Sequence, residues 1–163
     1  MKLATLCFLL RDDEICLALK KVRFGAGKYN GFGGKVGDKP EFENETIEEA
    51  LAREGGEEFD ITIKDYKKAG EIAFLFPDKA EWDQIVHVFI CKGWEGEPKE
   101  SEEMRPQWFK LTEIPYEKMW DDDKYWLPKV LEGDFVRAKF KFNKEGEVIS
   151  HEIRVLKITA ERR

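Results

Sequence analysis

One stretch constrains this chain more than any other: Thr46–Glu58, TIEEALAREGGEE, together with the preceding loop GFGGKV at Gly31–Val36. The spacing predicts a helix, with Ile47, Ala50 and Leu51 marking an inward face at the helical period. Steps of three, four and seven residues carry that face on to Glu54, Glu57 and Glu58. Carboxylates thus stand where the period calls for apolar side chains, while Glu48 and Glu49 point elsewhere. Inward carboxylates repel one another and lose hydration, so they persist together only where cations neutralise them. Oxygen-only ligands suit a hard cation, Mg²⁺ or Mn²⁺, held partly through water and substrate phosphate. A plain solvated acidic face is the competing reading, because 34 of the 163 residues are Asp or Glu. Spacing alone leaves both open.

Composition narrows the class. A chain of 163 residues is expected to form a single domain, 1–163, with room for a proper core, and its 42% hydrophobic content excludes global disorder. The net charge of −6 argues against a nucleic-acid polymer, whose footprint needs a basic stripe. It leaves room for a single nucleotide, whose phosphates a metal bridges to carboxylates. Cys7, Cys16 and Cys91 form no CxxC pair, so neither a disulfide framework nor a zinc site is expected. They read as small buried apolar residues in a reducing cytosol, hence a cytoplasmic protein. The start, MKLATLCFLL, is too short an apolar run for a leader and meets Arg11-Asp12-Asp13; it reads as a strand. No segment approaches membrane-spanning length, and a monomer is expected.

Along the chain, Leu3–Leu10 and Ile15–Leu19 read as a hairpin joined by Arg11–Glu14. The glycine-dense VRFGAGKYNGFGGKV reads as a loop that approaches something closely. Further strands are expected at Ile61–Ile63, Glu71–Phe76, Ile85–Lys92 and Gln107–Leu111, with Gly93–Arg105 a loop. Ile114–Leu131 looks helical in pieces, broken by Pro115 and Pro128 and ended by Gly133. A terminal hairpin pairs Phe135–Phe142 with Val148–Ile158. The sum is an α/β (α+β) fold, a mixed β-sheet sandwiched between helices.

The order of residues around the helix resembles the signature of the Nudix hydrolases. That signature runs glycine, five residues, glutamate, seven residues, then Arg-Glu-apolar-x-Glu-Glu-x-Gly-apolar. Here Glu45 is followed after seven residues by Arg53-Glu54-Gly55-Gly56-Glu57-Glu58-Phe59-Asp60-Ile61. Every charged member matches; the departures lie in packing and turn residues. Ten residues rather than five separate Gly34 from Glu45, so Gly37–Asn44 looks like an inserted surface loop. Gly55 takes the apolar position, Gly56 follows it, and Asp60 replaces the last glycine. Two further stretches, KKVRFGAGKYNGFGGKV (Lys20–Val36) and EMRPQWFKLTEIPYEKMWDDDKYWLP (Glu103–Pro128), resemble the branch acting on oxidised purine nucleoside triphosphates, the MutT homologues.

By position, the resemblance implies a Nudix fold and hydrolysis of a nucleoside triphosphate such as 8-oxo-dGTP or 2-hydroxy-dATP to monophosphate and pyrophosphate. Glu54 and Glu58 would bind Mg²⁺ (or Mn²⁺), with Glu57 as ligand or water partner and Arg53 orienting the glutamates. The backbone carbonyl of Gly33 would complete the metal shell, with Glu103 across the site as ligand or base. Lys20 would lie near the phosphates. Asn30, Asp122 and Asp123 would bond the purine edge, Trp120 would stack on it, and Thr5, Phe24 and Phe74 would line the pocket. Gln84 stands where the branch has methionine. Two readings remain beside this one: a pyrophosphatase for another nucleotide, and a catalytically weak nucleotide-binding module in which the insertion and the glycine pair misplace the glutamates. Asp121–Asp123 also has a plain alternative, as a cap of the helix that follows.

Overall fold

The opening apolar runs form the expected hairpin, β1 (Lys2–Arg11) and β2 (Glu14–Lys20), turning through Asp12 at φ 56°. In the computed structural model, which describes residues 1–157, these strands lie inside one mixed sheet. The remaining elements are β3 (Tyr29–Asn30), α1 (Ile47–Phe59), β4 (Thr62–Leu75), β5 (Gln84–Glu95), β6 (Met104–Lys110), α2 (Asp123–Leu131), β7 (Phe135–Phe142) and β8 (Val148–Leu156). The strand order is β3-β2-β1-β5-β4-β7-β8, with β6 also paired to β2. β1 pairs with β5, and β4 with β7, in parallel; the other pairs are antiparallel. Side-chain alternation along β1 sends Ala4, Leu6 and Phe8 to a core shared with Trp126 and Leu127 of α2. Cys7 and Leu9 go to a second core with Leu51 and Phe59 of α1. Helices on opposite faces of one sheet are the α/β sandwich read from the sequence.

A split in the sheet sets up the site. β2 gives one edge to β6 along its whole length, so β1 and β3 must share the other. β1 pairs with β2 only from Leu9 to Arg11, and the chain after β3 fills the gap that opens beyond. There Cys7 N donates to Phe32 O at 2.7 Å, Thr5 N to Gly34 O at 2.9 Å, and Val36 N to Leu3 O at 2.9 Å. The approach is so close that a Cβ at Gly31 would lie 2.3 Å from Cys7 O, and one at Gly33 2.0 Å from Thr5 O. Glycine at both positions is therefore a packing requirement.

α1 begins with a capping box: Glu49 N donates to Thr46 Oγ1 at 3.1 Å, and Thr46 N to Glu49 Oε1 at 2.8 Å. It ends on Asp60, left-handed at φ 57°, with its N–H on the Gly55 and Gly56 carbonyls. The missing glycine is thus replaced without losing the turn. Gly55 is buried against the Phe32 ring, whereas a Cβ on Gly56 would meet nothing within 4 Å. The inserted loop is a surface excursion with one 3-10 turn, Pro40–Phe42.

Several expectations are corrected. The two expected strands Ile61–Ile63 and Glu71–Phe76 merge into one, β4 (Thr62–Leu75), which leaves out Ile61 and Phe76 and is bent by irregular pairings between Ile63 and Gly70; its polar middle hid the continuity. β5 runs on to Glu95 and β6 starts at Met104, shortening the loop expected at Gly93–Arg105. Pro128 lies inside α2 rather than breaking it, because Trp126, Leu127 and Val130 anchor the helix in the core on both sides of the proline. Gly133, at φ 97°, does follow its end. Ile158, expected to end the last strand, lies outside the described residues. Cys7, Cys16 and Cys91 are free and buried. Among the described residues, no helix is long and apolar enough to cross a membrane.

Candidate active site

A cavity of about 280 Å³ opens where the split in the sheet meets α2 and the glycine-rich loop. Thr5, Lys20, Phe24, Asn30, Gly33, Glu58, Phe74, Gln84, Trp120, Asp122 and Asp123 all line it. Arg53, Glu54, Glu57 and Glu103 stand outside the lining: the first three lie on α1 near Glu58, which lines one end, and Glu103 precedes Met104, which also lines the cavity. The α1 end is built from α1 and the Gly31–Val36 loop; the other from Trp120, α2, and the rings of Phe74 on β4, Phe76 after it and Phe142 on β7.

At the α1 end, Arg53 is the organising cation. It holds Glu45 bidentately, Nε to Oε2 at 3.0 Å and Nη2 to Oε1 at 2.7 Å, and its Nη1 reaches Glu54 at 3.0 Å and Glu57 at 2.9 Å. The Phe42 ring of the inserted loop lies 4.2 Å from the guanidinium, and Glu45 also accepts from Gly37 N at 2.9 Å. The Arg53 hydrogen bonds hold the Glu45 carboxyl below its usual range. Glu45 and Phe42 are site residues the sequence reading left out of its list. The signature glutamate was visible; the insertion gave no sign of reaching Arg53.

Glu58 is buried and accepts from Gly33 N at 2.9 Å, which ties the helix to the loop. Burial first, and then the charge of Glu54, push its carboxyl up to about 8, partly offset by the Gly33 bond and by Lys20. Glu54, raised mainly by burial and lowered by Arg53, crowds Gly34 so closely that a Cβ there would lie 2.5 Å from its Oε1. Glu57 does not share this inward position: its side chain is 47% exposed. The buried stripe is Ala50, Leu51, Gly55, Glu58 and Phe59, and at about 100° per residue Glu57 projects roughly 120° from its centre. The inward carboxylates are thus a pair, and among the described residues no His, Cys, Asp and Glu form a ready three-ligand metal cluster. The donor chemistry still suits a hard cation: two adjoining carboxylates, Glu58 buried and Glu54 partly so, both raised, whose joint ionisation is favoured by added positive charge. Glu103 pairs with Arg23, which takes a left-handed φ of 65° in the glycine-rich loop, and its carbonyl accepts from Lys21 N at 2.7 Å.

At the other end, Asp122 and Asp123 are 3% and 2% exposed. Asp122 Oδ2 accepts from the Trp126 indole N–H at 2.7 Å, a partner the sequence reading did not foresee although the i,i+4 spacing was there. Asp122 occupies the N-cap position of α2 without a side-chain capping bond, so the capping alternative does not hold. Burial raises Asp122 to about 6, and burial together with the Asp122 charge drives Asp123 well above the ordinary range. Asp123 Oδ2 has no partner, and neither has Thr5 Oγ1, buried between β5 and the Gly31–Val36 loop. Asp121 faces away, accepting from Val148 N at 2.8 Å and from Lys124 at 2.9 Å, and so pins this end to the terminal hairpin. Asn30 Oδ1 accepts from Gly31 N at 2.9 Å.

A mixed sheet between two helices, with an Arg-centred glutamate cluster on one helix facing a glycine loop, defines a class. The chain belongs to the NUDIX family, whose NUDIX domain model matches residues 1–130. Among curated proteins it is 42% identical over 152 residues to an oxidized purine nucleoside triphosphate hydrolase of Danio rerio, covering 93% of this chain and 94% of that one. The Mus musculus protein of the same name is 41% identical over 153 residues, with 94% of each chain covered. Of solved structures, a mutator MutT protein from Bacillus halodurans superposes with a TM-score of 0.80 at 26% identity, covering 94% of this chain and 97% of that one.

Proposed function

We propose that this protein is a divalent-metal-dependent pyrophosphohydrolase of oxidised purine nucleoside triphosphates, releasing the monophosphate and pyrophosphate. The observation that carries the reading is the two-ended cavity: a buried aspartate pair at one end, and at the other buried Glu58 with Lys20, backed by partly buried Glu54. The relatives named above support the substrate class. Glu54 and Glu58 would hold Mg²⁺ (or Mn²⁺), with the Gly33 carbonyl beside them, Glu103 across the mouth, and exposed Glu57 as a water partner. The bound ion supplies charge neutralisation for the triphosphate and an acidified water.

The chain's own groups do the rest. Arg53 fixes the rotamers of Glu54 and Glu57 and is itself held by Glu45 and Phe42. Lys20 brings positive charge to the phosphate end. Trp120 stacks on the purine, while Thr5, Phe24, Phe74 and Gln84 shape the pocket around base and sugar. Asn30, Asp122 and Asp123 meet the purine edge. An aspartate pair that shares a proton offers one donor and several acceptors, and moving the proton inverts the pattern. One pocket thereby accommodates both an oxidised guanine and an oxidised adenine. The test is pyrophosphate release from 8-oxo-dGTP, 2-hydroxy-dATP and the canonical triphosphates, with Mg²⁺ and with chelator. Metal-dependent release from the oxidised pair supports the reading; release from none contradicts it.

A further inference from the structure

The glycine-rich loop after β2 carries Phe24 on a stretch, Lys21–Phe24, whose residues are all exposed. Phe24 lines the cavity yet is 59% exposed, so core packing does not fix its ring. Two rings from other segments touch it instead: Trp120, with centroids 5.1 Å apart, and Trp82, at 4.8 Å. Trp120 also lines the cavity. Trp82 lies outside the lining, 41% exposed, in the connection between β4 and β5.

Trp82 is nevertheless tightly organised. It closes a 3-10 turn, Ala80–Trp82, in which Trp82 N donates to Lys79 O at 2.9 Å and Asp83 N to Ala80 O at 3.0 Å. Asp83 Oδ1 accepts from Phe76 N at 2.7 Å and ties the turn to the end of β4. Phe76 meets the indole edge-on at 5.7 Å, and the Lys79 ammonium lies 4.6 Å from the indole centroid. Phe76 in turn stacks on Phe142 of β7 at 5.1 Å. A line of rings, Phe24–Trp82–Phe76–Phe142, thus joins an exposed loop to the sheet.

We propose that Trp82 is a positioning residue, which holds Phe24 as a fixed wall of the purine pocket without touching the ligand. The inference rests on the functional reading above. In that reading Trp120 turns to the base, so the Trp82 contact is what remains to order Phe24 before the purine arrives. A wall already in place spares the ligand the cost of ordering it, and that saving appears in affinity rather than in the chemical step.

The test compares the wild type with W82A, W82F, F24A and the double variant F24A/W82A. Affinity for 8-oxo-dGMP is measured calorimetrically in EDTA, and kcat and KM for 8-oxo-dGTP in Mg²⁺. W82A is expected to weaken 8-oxo-dGMP binding and raise KM by about 3- to 10-fold, with kcat nearly unchanged. W82F, which restores a ring, recovers most of the loss, and the double variant binds no worse than F24A. W82A binding as tightly as wild type, or losses that add in full in the double variant, would overturn the proposal alone. Failure of the wild type to bind 8-oxo-dGMP would overturn the functional reading beneath it.

Discussion

Glu58 is held where a carboxylate is least comfortable, buried beside Glu54 and fastened to Gly33 N. Where Glu58 is ionised, above about pH 8, removing its charge relieves repulsion; with metal bound, it costs the ion a ligand. E58Q is therefore expected to lose most turnover even at saturating Mg²⁺, yet to melt no lower than wild type without metal; near-normal turnover would contradict the ligand role. The aspartates at the far end are tested by substrate ratio. Losing a buried hydrogen-bond partner costs roughly 1–3 kcal/mol, so D122N and D123N should each lower kcat/KM about 5- to 150-fold. The loss should fall unequally on 8-oxo-dGTP and 2-hydroxy-dATP, and equal losses in both variants would count against the pair as purine reader. Their pH signature follows from burial. The folded pKa of Asp122 lies at about 6, above its ordinary 3.8, and burial with the Asp122 charge holds Asp123 well above that ordinary value too. The folded state therefore keeps protons that the unfolded chain releases, and this stability, full below the unfolded value, is lost as pH rises through the folded one. The melting temperature of D123N minus that of wild type is expected to grow from about pH 4 upward through pH 6. A difference that stays flat would mean the pair is not protonated.

At the scale of elements, α1 carries both the legible and the illegible parts of the site. Its acid cluster could be read from residue order, because motif charges act locally; the capping box of Thr46 and Glu49 went unread although its spacing was there. The outward turn of Glu57 could not be read, because apolar spacing at Ile47, Ala50 and Leu51 marks a face only to within a residue or so. Nor could the reach of the inserted loop. Phe42 meets Arg53 through tertiary packing, and local sequence does not encode where a surface excursion folds back. Deleting Asp38–Glu43 is expected to cost no more than about tenfold in turnover, the scale of one partly exposed cation–π contact, and F42A should reproduce most of it. A far larger loss on deletion would give the loop a direct part in the site. Gly56, with open space at its Cβ position, has the opposite prospect. G56A should raise the melting temperature by about 2–4 °C, since alanine gains up to about 1 kcal/mol in a helix. Unchanged or lower melting would show that the position is already constrained.

Across the whole molecule, the split between β1 and β2 places the functional ends in one cavity. The Gly31–Val36 loop fills the split and brings Gly33 to Glu58, while the opposite face of the same strands carries the core that seats α2 and its aspartates. The strands themselves were visible as apolar runs, and the fold class followed from them. Which edges pair, and that β4 is one bent strand rather than two, depends on contacts distant in sequence. In the proposed function this cavity selects an oxidised purine and the chain cleaves its triphosphate to monophosphate. The most direct measurement is a competition: equimolar 8-oxo-dGTP and dGTP in one vessel with Mg²⁺, followed by chromatography of every nucleotide. The ratio of their disappearance is the ratio of kcat/KM, independent of enzyme concentration. 8-oxo-dGTP is expected to be consumed well ahead of dGTP, yielding 8-oxo-dGMP and pyrophosphate. Equal consumption of the two, or 8-oxo-dGDP and orthophosphate as products, would contradict it.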